Sequence, residues 1–203
     1  MDIFIIILFS YISGSIPFGL ILTKIFSGKD VRSIGSGNIG ATNVLRTGNK
    51  YLALVTLILD IIKGYVPVFI TQVMFPELIQ ISALMTFLGH VFPVWLKFKG
   101  GKGVATYLGV LFAISIALSI LFIFTWIIIS LIFKYSSLSS MFSSLTVLVI
   151  YGVKNKALKA INPEIISSYD FTFLLFIFFI LILFTHKKNI SNLKNKKENK
   201  IKI

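Results

Sequence analysis

The sequence predicts an all-α integral membrane protein of about seven transmembrane helices, some of them short, on three observations. Of its 203 residues 56% are hydrophobic, and the mean hydropathy of +0.93 is far too high for a soluble domain. Runs of about 20 apolar residues recur along the chain, long enough to cross a hydrocarbon core of roughly 30 Å. Charged residues make up only 13% of the total, and the lysines and arginines gather in the connections between runs. Cysteine is absent, which excludes disulfides, thiolate metal sites and thiol nucleophiles.

The first run, residues 3–26, follows Met1-Asp2 without a basic flank or a small-residue cleavage site, so it reads as a retained span and not a signal peptide. Ser13, Gly14, Ser15, Pro17 and Gly19 soften it and permit close packing or a kink. Further runs fall at residues 51–75, 78–96, 104–133, 138–151 and 171–185, with polar, glycine-rich linkers at 27–50 and 97–103. The expected organisation is one membrane domain, 1–185, followed by a basic tail, 186–203, with seven lysines, one glutamate and no apolar periodicity. No internal repeat is visible.

Lysine and arginine positions set the expected topology. Lys29, Arg32, Arg46 and Lys50 lie in the first linker, Lys97, Lys99 and Lys102 in the second, and Lys187 onward in the tail, whereas the 76–79 connection carries only Glu77. An N-terminus outside places both basic linkers in the cytoplasm. The 104–133 run would be about 45 Å as one helix, more than a single span needs. Either it breaks into two short helices, giving seven spans, or 138–151 does not cross, giving five. Seven is the preferred reading, because the polar stretch 134–140 then also faces the cytoplasm, and the C-terminus is cytoplasmic either way. The net charge of +13 has its explanation in anionic lipid and anionic substrate, so nucleic acid is not an expected partner.

The chemistry concentrates in the two linkers. The first reads Gly35-Ser36-Gly37-Asn38-Ile39-Gly40-Ala41-Thr42-Asn43-Val44-Leu45-Arg46. Gly35 and Gly37 free the backbone to converge N–H groups on a phosphate, while Ser36, Asn38, Thr42 and Asn43 add side-chain donors. A helix starting after these residues would present its N-terminus to an anion. The only two arginines, Arg32 and Arg46, flank this segment, and a guanidinium binds phosphate in a bidentate way that lysine does not match. The pattern is neither a P-loop nor a dinucleotide fingerprint. In the second linker Lys97, Lys99 and Lys102 alternate with Gly100, Gly101 and Gly103, a second cationic turn. Two phosphate cradles on one membrane face suggest a donor and an acceptor that both carry phosphate.

Elsewhere, Asp60 and Lys63 share a helix face and neutralise one another as a structural ion pair; positioning a phosphate site one helix turn away is the alternative role. His90 and His186 are the only histidines, and neither has the aspartate of the dyad used by acyl-CoA acyltransferases. Metal-binding acidic motifs are absent, so no metal and no cofactor are expected. An organophosphate or anion transporter is the alternative class; it would place charge near the bilayer midplane and show repeat symmetry between halves.

Three stretches together resemble the PlsY family, the bacterial acyl-phosphate:glycerol-3-phosphate acyltransferases: GSGNIGATNVLR from Gly35 to Arg46, GHVFPVWLKFKGGKGVAT from Gly89 to Thr106, and His186-Lys187-Lys188-Asn189-Ile190. Residues 13–19 and 60–64 also fit. The tail departs from the family pattern, with Thr185 before the histidine, Asn192 in place of an arginine and Lys196 in place of a glycine, while Leu193 and Glu198 align. The resemblance implies a seven-span, metal-free enzyme of the bacterial inner membrane with its active site facing the cytoplasm. It would move a fatty acyl group from a long-chain acyl phosphate, supplied by an upstream acyl-phosphate-producing enzyme, to glycerol 3-phosphate. Carried over to this chain, it implies that Ser36, Arg46 and Lys102 hold phosphate, with Ser140, His186 and Asn189 near the reacting groups.

Overall fold

The computed structural model describes residues 1–161 and 170–201, which form ten α-helices and, among the described residues, no strand. The chain divides into two compact units, Met1–Ser115 and Ile116–Ile203.

The first unit contains α1 (Asp2–Ser15), α2 (Phe18–Ser27), α3 (Ala41–Leu45), α4 (Lys50–Met74), α5 (Ile79–Val91) and α6 (Val104–Ile114). Its other five helices all pack against α4. The buried positions of α4 include Leu52, Thr56, Asp60, Lys63, Gly64, Pro67 and Thr71, a spacing of three or four that makes one stripe. Leu54, Ile58, Ile62, Phe69 and Val73 point outward and are exposed. The inner stripe is thus more polar than the outer one, which is the pattern required when the surrounding solvent is hydrocarbon and leucine gains nothing by leaving it.

Glycine sets the helix spacing. Gly64 of α4 faces the Thr106 carbonyl of α6, and Gly109 of α6 faces the Ile61 carbonyl of α4; a Cβ at either would overlap the oxygen. The same reciprocal arrangement joins α1 to α5, with Gly14 on the Thr86 carbonyl and Gly89 on that of Tyr11. Hydrogen bonds add direction: Ser10 Oγ lies 2.9 Å from Ser82 Oγ, and the Tyr11 hydroxyl donates to the Phe92 carbonyl at 2.6 Å.

The softened first span breaks at Ile16-Pro17, between α1 and α2. The Ile16 carbonyl, released from the helix ladder, accepts from Lys63 Nζ at 2.6 Å. The same ammonium pairs with Asp60 Oδ1 at 2.7 Å and lies 5.6 Å from the Phe18 ring centroid.

The second unit contains α7 (Ile116–Phe133), α8 (Ser136–Ile161), α9 (Thr172–Thr185) and α10 (Lys187–Lys194), with α8 packed between α7 and α9. The 104–133 run is interrupted as expected, at Ser115, whose extended backbone (φ −164°, ψ 117°) separates α6 from α7. At 11 residues α6 is about 16 Å long, too short to cross the hydrocarbon core alone. Among the described residues, five helical stretches are long and apolar enough to cross, and a sixth is reached if α9 and α10, bent by 58°, count as one. The expectation of seven spans counts α6 and α9 as separate short ones.

Two local readings change. The run 138–151 continues as α8 to Ile161, because Lys154, Ala157, Leu158 and Lys159 favour helix even where they no longer favour hydrocarbon. The tail, read as without periodicity, contains α10 and a turn beyond it; residues 202–203 lie outside the described residues.

Gly109→Val forces a branched side chain onto the Ile61 carbonyl and is expected to destabilise by about 1–3 kcal/mol. Thermal unfolding of the purified variant in detergent, set beside Gly152→Val, whose site is open apart from a methyl of Thr172, checks this.

Candidate active site

The first loop joins α2 to α4. Gly28, in the left-handed region at φ 63°, ends α2. Asp30 Oδ1 then accepts from the backbone N–H of Arg32 at 2.9 Å, and its carboxylate takes the guanidinium at 3.0 Å from Nε and 2.6 Å from Nη2. The side-chain and backbone hydrogen bonds from Arg32 lower the Asp30 pKa to about 2. Arg32 is therefore engaged within the loop.

The loop is held from beneath by Asn43. Its buried amide Nδ2 donates to the carbonyls of Val31, Ile34 and Asn38 at 2.9, 2.9 and 2.7 Å, and Oδ1 accepts from the Ser36 N–H at 2.9 Å. Asn38 Oδ1 accepts from the Gly40 N–H at 2.9 Å, just ahead of α3. Both asparagines, expected to meet substrate, are occupied by the loop's own backbone. Gly35 and Gly37 take φ of 54° and 73°. A Cβ on Gly35 would stand 2.7 Å from Arg46 Cδ, so the arginine lies across that glycine. Ser36, Thr42 and Arg46 are exposed. With only five residues, α3 contributes little dipole to such a site.

The second loop follows α5. Lys97 and Phe98 both sit in the left-handed region, at φ 51° and 61°, in a tight turn where the Phe98 N–H donates to the Pro93 carbonyl. The Gly100 and Gly101 N–H groups donate to the carbonyls of Val91 and His90, each at 3.0 Å. They close the end of α5 and do not point outward as an anion cradle requires. A Cβ at 100 would overlap the His90 carbonyl, and one at 101 the His90 ring. Gly103 (φ 82°) starts α6 against the Phe87 ring. Lys102 between them is half-buried, and Lys97 and Lys99 are exposed. The two loops meet through Leu96, which packs on the cluster of Leu20, Val31, Ile39, Val44, Leu52 and Ala53 under the first loop.

In the second unit Ser140 is buried; its hydroxyl donates to the Ser136 carbonyl at 2.8 Å and accepts from the Trp126 indole at 3.1 Å. His186, at the α9–α10 bend, lies with Nδ1 2.8 Å from the Ile182 carbonyl. A carbonyl only accepts, so Nδ1 carries a proton in this contact. Asn189 Nδ2 donates to Glu198 Oε1 at 2.6 Å, and the same oxygen accepts from Ser137 Oγ at 2.8 Å. Asn192 Nδ2 reaches Glu198 Oε2 at 3.4 Å. Glu198 is thus the organiser of the tail; its sequence signals are its place in the family pattern and its standing as the single acid among seven lysines. Among the described residues no group of three or more His, Asp or Glu stands as a metal site.

These features define a polytopic, all-helical membrane protein with two apposed loops rich in glycine and cationic side chains. The sequence profile of the glycerol-3-phosphate acyltransferases matches residues 4–196, and the chain belongs to that family, of the PlsY type. A glycerol-3-phosphate acyltransferase of Pelagibacter ubique is 53% identical over 203 residues, covering all of both chains. One of Wolbachia pipientis is 45% identical over 98% of this chain and 99% of its own. Two crystal structures of PlsY, an integral membrane glycerol 3-phosphate acyltransferase, each cover 100% of this chain and 96% of their own. The glycerol 3-phosphate form has a TM-score of 0.88 at 32% identity, and the lysophosphatidic acid form 0.85 at 31%.

Asn43→Ala removes one acceptor and leaves loop carbonyls unpaired, an expected loss of about 1–3 kcal/mol in thermal unfolding. Asp30→Asn tests the exposed pair. Because the folded pKa lies below the ordinary 3.8, its stabilisation is complete above that pH and is lost as pH falls toward 2. Unfolding titrations are expected to show a deficit below about 1 kcal/mol at pH 7 that vanishes in acid.

Proposed function

We propose that this protein transfers a fatty acyl group from a long-chain acyl phosphate to the 1-hydroxyl of sn-glycerol 3-phosphate, forming lysophosphatidic acid and phosphate. The observation that carries this reading is that the relatives solved with glycerol 3-phosphate and with lysophosphatidic acid match the whole chain. Those two molecules differ by one acyl group on one hydroxyl.

The chemistry fits the residues. The glycerol oxygen attacks the acyl carbonyl, the bond from that carbon to the phosphate oxygen breaks, and the hydroxyl proton leaves with the phosphate. An acyl phosphate is a mixed anhydride with a good leaving group, so alignment and cationic stabilisation supply most of the catalysis. Arg46, exposed and lying across Gly35, is assigned to grip a phosphate in the first loop. Lys102 is assigned to the charge that develops on the departing phosphate. Nε2 of His186 is assigned to relay the hydroxyl proton. Asn189, held by Glu198, is assigned to the reacting groups on the family resemblance. The donor reading follows from the two cationic loops, one for each phosphate. The basic linkers favour the cytoplasmic face, and the family resemblance favours the bacterial inner membrane, where an upstream enzyme making acyl phosphate would supply the donor.

Purified protein in lipid is given glycerol 3-phosphate with either palmitoyl phosphate or palmitoyl-CoA, and phosphate and lysophosphatidic acid are measured. Turnover is expected with the acyl phosphate alone. Arg46→Lys and Lys102→Ala are each expected to lower kcat/KM by roughly 100-fold, about 2.7 kcal/mol. Turnover with the CoA ester alone overturns the donor assignment.

A further inference from the structure

Three buried polar side chains of the first unit have no part in the acyl transfer just described: Asp60 and Lys63 on α4 and His90 on α5, exposed by 2%, 5% and 3%. Apolar side chains of the same volume avoid the desolvation that such groups incur. What polar side chains add is direction, and the contacts of these three lead to both loops.

Lys63 Nζ holds the Ile16 carbonyl at the break where α2 begins. α2 runs into the first loop, and its Gly19 seats against the Ile39 carbonyl inside that loop. Asp60 Oδ1 lies 2.7 Å from the same ammonium and 3.9 Å from His90 Nδ1. On the far side, the His90 carbonyl receives the Gly101 N–H, and Nε2 of its ring abuts Gly101 in the second loop. One residue past Lys63, Gly64 packs on the Thr106 carbonyl in the first turn of α6, the helix that closes the second loop. A single turn of α4 therefore touches the supports of both loops.

We infer that Asp60, Lys63 and His90 form a positioning strut that sets the spacing of the two glycine loops and so aligns their phosphate-bearing reactants, an inference that rests on the acyl-transfer reading above. Each loop keeps its own anion-binding groups when the strut is loosened, so binding changes little. Alignment of hydroxyl and carbonyl suffers instead, and a displacement of about 1 Å is worth roughly 100-fold in rate.

The chain contains no cysteine, so Ser33→Cys and Lys99→Cys, both at exposed loop positions, carry a pair of spin labels without competing sites. Electron–electron distance measurement on the full-length protein is expected to give a narrow distribution in the parent. In His90→Ala it is expected to broaden or shift, with partial recovery in His90→Gln, which keeps a polar group of similar reach. In the unlabelled enzymes kcat is expected to fall about 10- to 100-fold with KM for both substrates within about threefold. Asp60→Asn, nearly isosteric, is measured alongside and decides the matter if His90→Ala does not fold. An unchanged distance distribution in both variants overturns the strut whatever the activity, and a raised KM at normal kcat overturns its role in alignment. If the parent does not turn over acyl phosphate, the acyl-transfer reading fails, and the distances alone then decide whether the strut exists.

Discussion

Helices surrounded by hydrocarbon gain nothing from burying leucine against leucine, so something else must hold them together. In the first unit it is backbone contact at glycine. Gly14 and Gly89 bring α1 and α5 together, and Gly64 and Gly109 bring α4 and α6 together, each against a carbonyl of the opposing helix. These contacts leave no slack: a single methyl at any of the four meets a main-chain atom. Because the loops leave from the ends of these helices, the accuracy of the glycine contacts is passed on to them.

The loops are also better supported than their composition suggests. A glycine-rich linker exposed to water would be mobile, yet the first is held by the Asn43 amide on four backbone groups and floored by Val31, Ile39 and Val44. The second is closed onto α5 by the Gly100 and Gly101 N–H groups, and it keeps two non-glycine residues at positive φ. Such conformations persist only where the surroundings over-determine them. Preorganisation of this kind suits a reaction whose demand is alignment of two anions and not a strong base.

Much was legible before the fold. The runs, the softened first span and the pairing of Asp60 with Lys63 follow from hydrophobicity, glycine and proline placement and the i,i+3 rule, and a break within 104–133 is the preferred of two readings on length and charge bias. Other features were out of reach because their partners are distant in sequence. Nothing around Asn43 announces that its amide will gather carbonyls from residues 31, 34 and 38. Glu198 fits the family pattern, but that Ser137 and Asn189 share one of its oxygens is visible only in the fold. Gly100 and Gly101 read as a cradle for anions, whereas the need for glycine there comes from the His90 carbonyl and ring.

The sequence by itself determined that the chain lives in a membrane, roughly where its apolar runs fall and where its cationic, glycine-rich chemistry is concentrated, because hydrophobicity, charge and backbone freedom are properties of residues and their near neighbours. Only the tertiary structure decided which of those residues serve the loops and which remain outward, as Ser36 and Arg46 do, because a donor is committed only when folding brings it an acceptor.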